Sequence, residues 1–195
     1  MARSSASRPC ARNRIMAAAS ELFYKEGVHS VGIDRIIAES GVAKMSLYNH
    51  FKSKDALIAA WLDEQHHSWR ECFQNAIARH AAASGESPLL AIFDVLQEGI
   101  EKPNFRGCAF INSAVELVDA EHPGYQITLA HEQAVADYIL NLVKEANLPN
   151  PEALAQQLLI LIQGATVVAM MHGCPNAASQ AKAAATTLIK AAAQG

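Results

Sequence analysis

The stretch VGIDRIIAESGVAKMSLYNHFKSKDAL, residues 31–57, decides the fold. Ile33, Ile36 and Ile37 recur at helical spacing and mark a short helix, which Gly41 ends because glycine tolerates positive φ. Gly41-Val42-Ala43 then makes a tight turn into a second short helix, from about Lys44 to His50. Ile36, Ile37, Val42, Leu47 and Phe51 can pack inward and hold the pair at a fixed angle, which is the physics of a helix-turn-helix over about residues 32–51. The second helix presents Lys44, Met45, Ser46, Tyr48, Asn49 and His50: donors, an aromatic hydroxyl and an apolar tip, with no acid. Such a face can enter a DNA major groove without repelling phosphate. Helix-turn-helix geometry also occurs in bundles that bind no DNA, and the acid-free face is what favours the nucleic-acid reading.

Outward from this stretch the pattern stays helical. Upstream, Ile15, Ala18, Ala19, Leu22, Phe23 and Glu26 share one helix face, and Gly27 offers a stop. Downstream, Ser53 can cap a long helix running through Leu57, Ile58, Trp61 and Leu62 toward His80, and Gly85 breaks it. Ser87-Pro88 and Asn150-Pro151 each read as a capping residue followed by proline at the first helical position. Pro103 and Gly107 bound two further helices, and His122-Pro123-Gly124 opens another that ends near Asn147. The last two run from Pro151 to about His172 and, beyond Gly173 and Pro175, through an alanine-rich segment. With no alternating strand pattern of useful length and no internal repeat, the expectation is an all-α chain of about nine helices.

Charge divides the chain. Residues 1–60 carry nine Lys or Arg against five Asp or Glu, a net of +4, and the remainder seven against fourteen, a net of −7. A basic front on an acidic body suits a polyanion at one end only. The opening MARSSASRPCARNR lacks an apolar signal core and reads as a flexible basic arm. The cysteines at 10, 72, 108 and 174 are too scattered for a disulfide framework, so reduced thiols and a cytoplasmic location are expected. No run of about 18 uncharged apolar residues is evident, so no membrane partner is expected.

Residues 10–60 resemble the tetracycline-repressor (TetR) family. The matching elements are Ile15…Ala19…Leu22-Phe23…Gly27, Ile36, Gly41-Val42, Leu47-Tyr48-x-His50-Phe51 and Ser53-Lys54-x-x-Leu57. More loosely, Arg106-Gly107-Cys108-Ala109-Phe110-Ile111-Asn112 and Leu161-x-x-Gly164-Ala165 resemble a subgroup of its sensor domains. The resemblance implies an arm over residues 1–8, a three-helix DNA-binding head over 9–54 and a helical sensor and dimerisation domain over 55–195. It implies a homodimeric regulator, a repressor released from a palindromic operator by a small-molecule effector. Carried over position by position, Tyr48, His50 and Lys54 look like phosphate clamps, and Lys44, Met45, Ser46 and Asn49 like groove contacts. Two departures stand out. Gly32 occupies a position where relatives often carry Ser or Thr, leaving phosphate contact to backbone N–H or to Arg35. Met45 replaces a frequent glycine, so base preferences do not transfer.

In the body, the helix from Pro151 is apolar nearly all round, with stripes through Leu154, Leu158, Ala165 and Ala169, and the following helix is rich in small residues. Burial of this pair against its symmetry mate is the expected dimer interface, reached at Ala165 and Ala169. Phe73, Phe110, Asn112, His131 and Gln163 are the candidate effector-binding residues. Glu64-Gln65-His66-His67 holds one Glu-x-x-His, where di-iron bundles need two. A metal-binding oxidase is therefore the weaker alternative. Cys108, flanked by Gly107, Ala109 and Phe110, reads as an inert buried thiol. No catalytic residue, cofactor or metal site is expected.

Overall fold

A computed structural model describes residues 9–194; the arm expected over residues 1–8 lies outside them. Among the described residues there are nine α-helices and no strand. The head comprises α1 (Ala11–Glu26), α2 (Ile33–Ser40) and α3 (Lys44–His50). The body comprises α4 (Lys54–Ser84), α5 (Pro88–Ile100), α6 (Ala109–Glu116), α7 (Pro123–Glu145), α8 (Pro151–His172) and α9 (Ala177–Gln194).

Helix ends follow local chemistry. Ser53 Oγ accepts the Ala56 N–H at 3.0 Å and starts α4, and Ser87 Oγ accepts the Leu89 N–H at 3.3 Å ahead of Pro88. His122 does the same for α7, its Nδ1 accepting the Gly124 N–H at 3.0 Å. Asn150 departs from expectation: its backbone is left-handed (φ 49°) and its side chain caps nothing. Pro151 explains why α8 still forms, since the missing N–H of a first-turn proline removes one of the donors a cap would satisfy.

Two apolar cores result. The first joins the head, through Ile15, Leu22, Phe23, Ile36 and Leu47, to Leu57, Trp61 and Leu62 of α4 and to Phe110 and Leu117 beyond it. The boundary expected at residues 54/55 thus crosses a continuous core, with Trp61 Nε1 donating to Ser20 Oγ at 3.2 Å. The second core lies between α5, α7, α8 and α9 around Ile92, Phe93, Ile139, Leu158 and Ala178. Helix α4 belongs to both, and at 1.5 Å per residue it carries the chain about 46 Å from the head into the body.

Helix α8 corrects the expected placement of the dimer contact. By length and composition it is apolar enough to cross a membrane. Here it packs on α7 and α9, with Leu154, Leu158, Ala165 and Ala169 turned into the protomer's own core. Ala165 and Ala169 are 6% and 4% exposed, so they are not available to a second copy. The large apolar side chains that α8 leaves uncovered are Ile160, Val168, Met170 and Met171. In α1, Glu26 shares the helical face of Leu22 and Phe23 but lies at the end of the helix, where it reaches solvent.

Candidate nucleic-acid interface and its links to the body

The α2–α3 turn is fixed from α1. Gly41 is left-handed (φ 60°) and its N–H reaches the Ile37 carbonyl at 3.0 Å. Arg14 extends its guanidinium to the carbonyls of Ser40 and Gly41, the latter at 2.6 Å. A cation on the free carbonyls at a helix C-terminus satisfies both their hydrogen-bonding need and the helix dipole. A Cβ on residue 41 would come within 2.9 Å of that guanidinium and displace its tip, while the positive φ is what favours glycine here.

On this frame α3 buries Leu47 and exposes Lys44, Met45, Tyr48, Asn49 and His50, with Ser46 half-buried. Residues 44, 45, 48 and 49 fall on one face by helical spacing, and Met45, 72% exposed, is its apolar tip. No side chain caps α2 or α3: Gly32 and Ala43 stand at those positions. Lys44 Nζ lies 3.2 Å from Asp34, Arg35 lies 3.5 Å from Glu26, and Lys54 Nζ donates to the His29 carbonyl at 3.3 Å. The first two pairs are exposed, and such pairs contribute little, so a phosphate can compete for their cations.

The head is tied to the body at both ends of α6. At the start, Tyr24 OH accepts the Arg106 N–H at 3.0 Å and donates to the Gly107 carbonyl at 3.1 Å. At the end, Glu116 accepts the His29 N–H at 2.7 Å. Between them a cleft of about 500 Å³ opens among α1, α4, α6 and α8, with Tyr24, Trp61, Asn112, Glu116 and Met170 in its walls. Asn112 also donates to the Arg106 carbonyl at 2.7 Å.

The other candidate effector residues gather elsewhere. Phe110 stacks on His131 with centroids 3.5 Å apart, Trp69 meets the same ring edge-on at 4.8 Å, and Phe73 stacks on Trp69 at 5.3 Å. His66 Nδ1 sits 3.2 Å from His131 Nδ1, and Gln163 donates to Glu132 at 2.6 Å. Burial lowers His131 to about 4, with the neighbouring His66 adding to the effect. Burial, helped by His67 and Arg70, also lowers His66. Burial raises the Glu132 carboxyl, against the hydrogen bond from Gln163, and raises the Cys108 thiol. Phe73, Phe110, His131 and Gln163 thus form a packed cluster apart from the cleft that Asn112 lines. The Glu64-x-x-His67 pair is engaged on the surface, Glu64 with Arg12 at 2.9 Å and His67 with Asp63 at 3.6 Å. Sequence reading missed Tyr24, Glu116 and Glu132, whose partners lie 31 to 87 residues away and give no local signal.

The family model for bacterial regulatory proteins of the tetR family matches residues 15–61, the head and the first turns of α4. The crystal structure of SCO4454, a TetR-family transcriptional regulator from Streptomyces coelicolor, is similar over 93% of this chain and 95% of that one. Its TM-score is 0.82 at 31% identity. The chain belongs to the TetR family. An HTH-type transcriptional regulator in the lacX 3' region of Lactococcus lactis is 25% identical over 158 residues, 75% of this chain and 79% of that protein. The HTH-type transcriptional activator FasR of Mycolicibacterium smegmatis is 45% identical over 51 residues, 26% of this chain and 23% of its own length. This TetR-family protein is accordingly a DNA-binding transcriptional regulator, in a family of regulators rather than of enzymes.

Proposed function

We propose that the protein is a homodimeric repressor that a small-molecule effector releases from a palindromic operator in the cytoplasm. The carrying observation is the exposed, acid-free face of α3, seated on a turn that Arg14 locks. Lys44, Met45, Ser46 and Asn49 meet base edges, while Tyr48, His50, Lys54 and Arg35 hold phosphates. Reading two successive major grooves needs two such faces about 34–36 Å apart, hence a dimer. The uncovered apolar residues Ile160, Val168 and Met171 of α8, together with the small exposed residues Ala183 and Ala184 of α9, supply a surface for the second copy. The effector lodges in the cleft beside Asn112, whose volume of about 500 Å³ suits a small molecule. Because its walls belong to head and body together, a ligand there has different affinities for different head orientations, which is the condition for shifting the operator equilibrium. Repression asks nothing of the chain beyond operator occupancy. The relative FasR is named an activator, so a reporter assay decides the sign of regulation.

The test combines light scattering with duplex binding. A dimer should bind a palindrome selected from a random pool, with affinity falling steeply as salt rises. A monomer, or equal affinity for the selected palindrome and a scrambled duplex, overturns this reading.

A further inference from the structure

The packed cluster at the start of α6 holds a set of donors that neither the duplex nor the effector cleft uses. Cys108 Sγ, a ring nitrogen of His131 and a carboxylate oxygen of Glu132 all lie within 4.8 Å of one another. We propose that these three residues bind a divalent transition metal of the zinc class, and that occupancy is read by the head through α6. This replaces the sequence expectation of no metal site.

Four observations carry it. The donor mix of thiolate, imidazole and carboxylate suits zinc or cobalt and not calcium or magnesium, which take oxygen ligands. Three protein ligands leave a fourth tetrahedral position for water or a small anion. Bond lengths of 2.0–2.3 Å at a tetrahedral angle put donors about 3.5 Å apart, so the cluster closes by roughly 1 Å, a side-chain rotation. The surroundings hold the donors in place. Phe110 and Trp69 fix the His131 ring, which is 3% exposed, and His66 contacts its Nδ1. Gln163 orients Glu132 through one oxygen and leaves the other available. Such outer partners normally accompany metal ligands. Glu132 is also a half-buried carboxylate with no cationic partner among the described residues.

The route to the head is short. Cys108 is the residue that precedes α6, and it follows Arg106 and Gly107, the two residues that Tyr24 grips from the head. Drawing Cys108 toward α7 moves α6, whose far end holds His29 through Glu116. On binding, the Cys108 thiol gives its proton to solvent and no redox change occurs.

The test uses the full chain, reduced with a phosphine, stripped with chelator and titrated with Co²⁺. One Co²⁺ per protomer should bind, with a thiolate-to-cobalt charge-transfer band and intense tetrahedral visible bands that Zn²⁺ abolishes. Cys108→Ser should lose the charge-transfer band. The variant lacking the other three thiols, Cys10→Ser/Cys72→Ser/Cys174→Ser, should keep it. Glu132→Gln, checked for native circular dichroism, should lose at least tenfold in metal affinity, and Gln163→Ala about 10–100-fold as an outer partner. No band in the parent protein, a band that survives Cys108→Ser, or full affinity in folded Glu132→Gln overturns the site.

The coupling rests on the DNA-binding reading and is measured separately. Zn²⁺ should change affinity for the duplex selected by metal-free protein at least fivefold, and should not do so in Glu132→Gln. Zn²⁺ binding with unchanged duplex affinity overturns the coupling. Loss of all duplex binding counts against the DNA reading, while the cobalt spectrum still decides the site.

Discussion

Helix α3 and the cluster around His131 are built in opposite ways. The first is seven consecutive residues whose polar groups point to solvent. The second draws His66, Trp69 and Phe73 from α4, Cys108 and Phe110 from the start of α6, His131 and Glu132 from α7 and Gln163 from α8 into one half-buried cluster around the buried His131 and Phe110 rings. On an exposed helix, function is a matter of spacing. In the interior it is a matter of convergence, and each polar group must be matched by a partner brought from far along the chain. The same contrast runs through α8, which turns one apolar side inward and leaves another uncovered. Three sets of variants separate these cases, beginning with the largest effect.

Glutamate at Ala165 or Ala169 places an unpaired charge inside the protomer, and leaving a buried charge uncompensated costs about 3–5 kcal/mol. Both variants should melt far below the parent or fail to fold. Val168→Glu, 43% exposed in the protomer, should keep the fold and lose the dimer. Thermal melts beside light scattering check this pair. A folded, dimeric Val168→Glu would remove α8 from the proposed interface.

The interior cluster should also make metal-free protein acid-sensitive. Above pH 6.5 His131 is neutral folded or unfolded. Between 6.5 and about 4 the unfolded chain takes up a proton that the buried ring refuses, so stability falls as pH falls, by up to about 1.4 kcal/mol per pH unit. Across the window the loss is on the order of 2–3 kcal/mol. His66 acts in the same direction. Glu132, its carboxyl raised, acts oppositely at the acid end, and Cys108 stays protonated throughout. The slope is therefore read just below pH 6.5, in chelator, from denaturant melts. It should flatten in His131→Gln, and an equal slope in that variant would show that the ring is not held neutral.

These outcomes bear on what a sequence discloses. The bounds of α3, the stop at Gly41 and the cap at Ser53 follow from residues within one or two turns, and the spacing of Ile36, Leu47 and Phe51 was enough to find the motif. Asn150 was misread because a cap is chosen by backbone conformation, and a proline at the next position made it unnecessary. Ala165 and Ala169 were assigned to a partner because an apolar stripe shows that a face is buried without showing by what. Cys108 reads as inert from its apolar neighbours in sequence, and burial raises its thiol in agreement, but sequence neighbours do not show which donors stand near it. Its neighbours in space, His131 and Glu132, follow it by 23 and 24 residues, across the whole of α6 and the loop that follows it.

The smallest effects lie on the exposed face, and here the structure changes how they must be measured. Asn49→Ala removes a group with no side-chain partner among the described residues, so it should reduce discrimination between the selected operator and a mutated one by about 1–3 kcal/mol while sparing random duplex. Lys44→Ala is less clean. Its ammonium neutralises Asp34, 86% exposed at the side chain, and its loss leaves a bare carboxylate facing phosphate. Lys44→Ala should therefore weaken random and selected duplex alike on top of any loss in discrimination. Adding Asp34→Asn to it should restore only the part common to both. Tyr48→Phe and Lys54→Ala should weaken all duplexes together, since phosphate contacts carry no sequence information directly. Lys54→Ala should also reduce the salt slope by about one per head, with little cost to folding because the contact it gives up is a single bond to the His29 carbonyl. Operator and random-duplex affinities across a salt series decide each case. If Asn49→Ala lowers both equally, α3 holds phosphates without reading bases, and specificity comes from DNA shape or from the N-terminal arm.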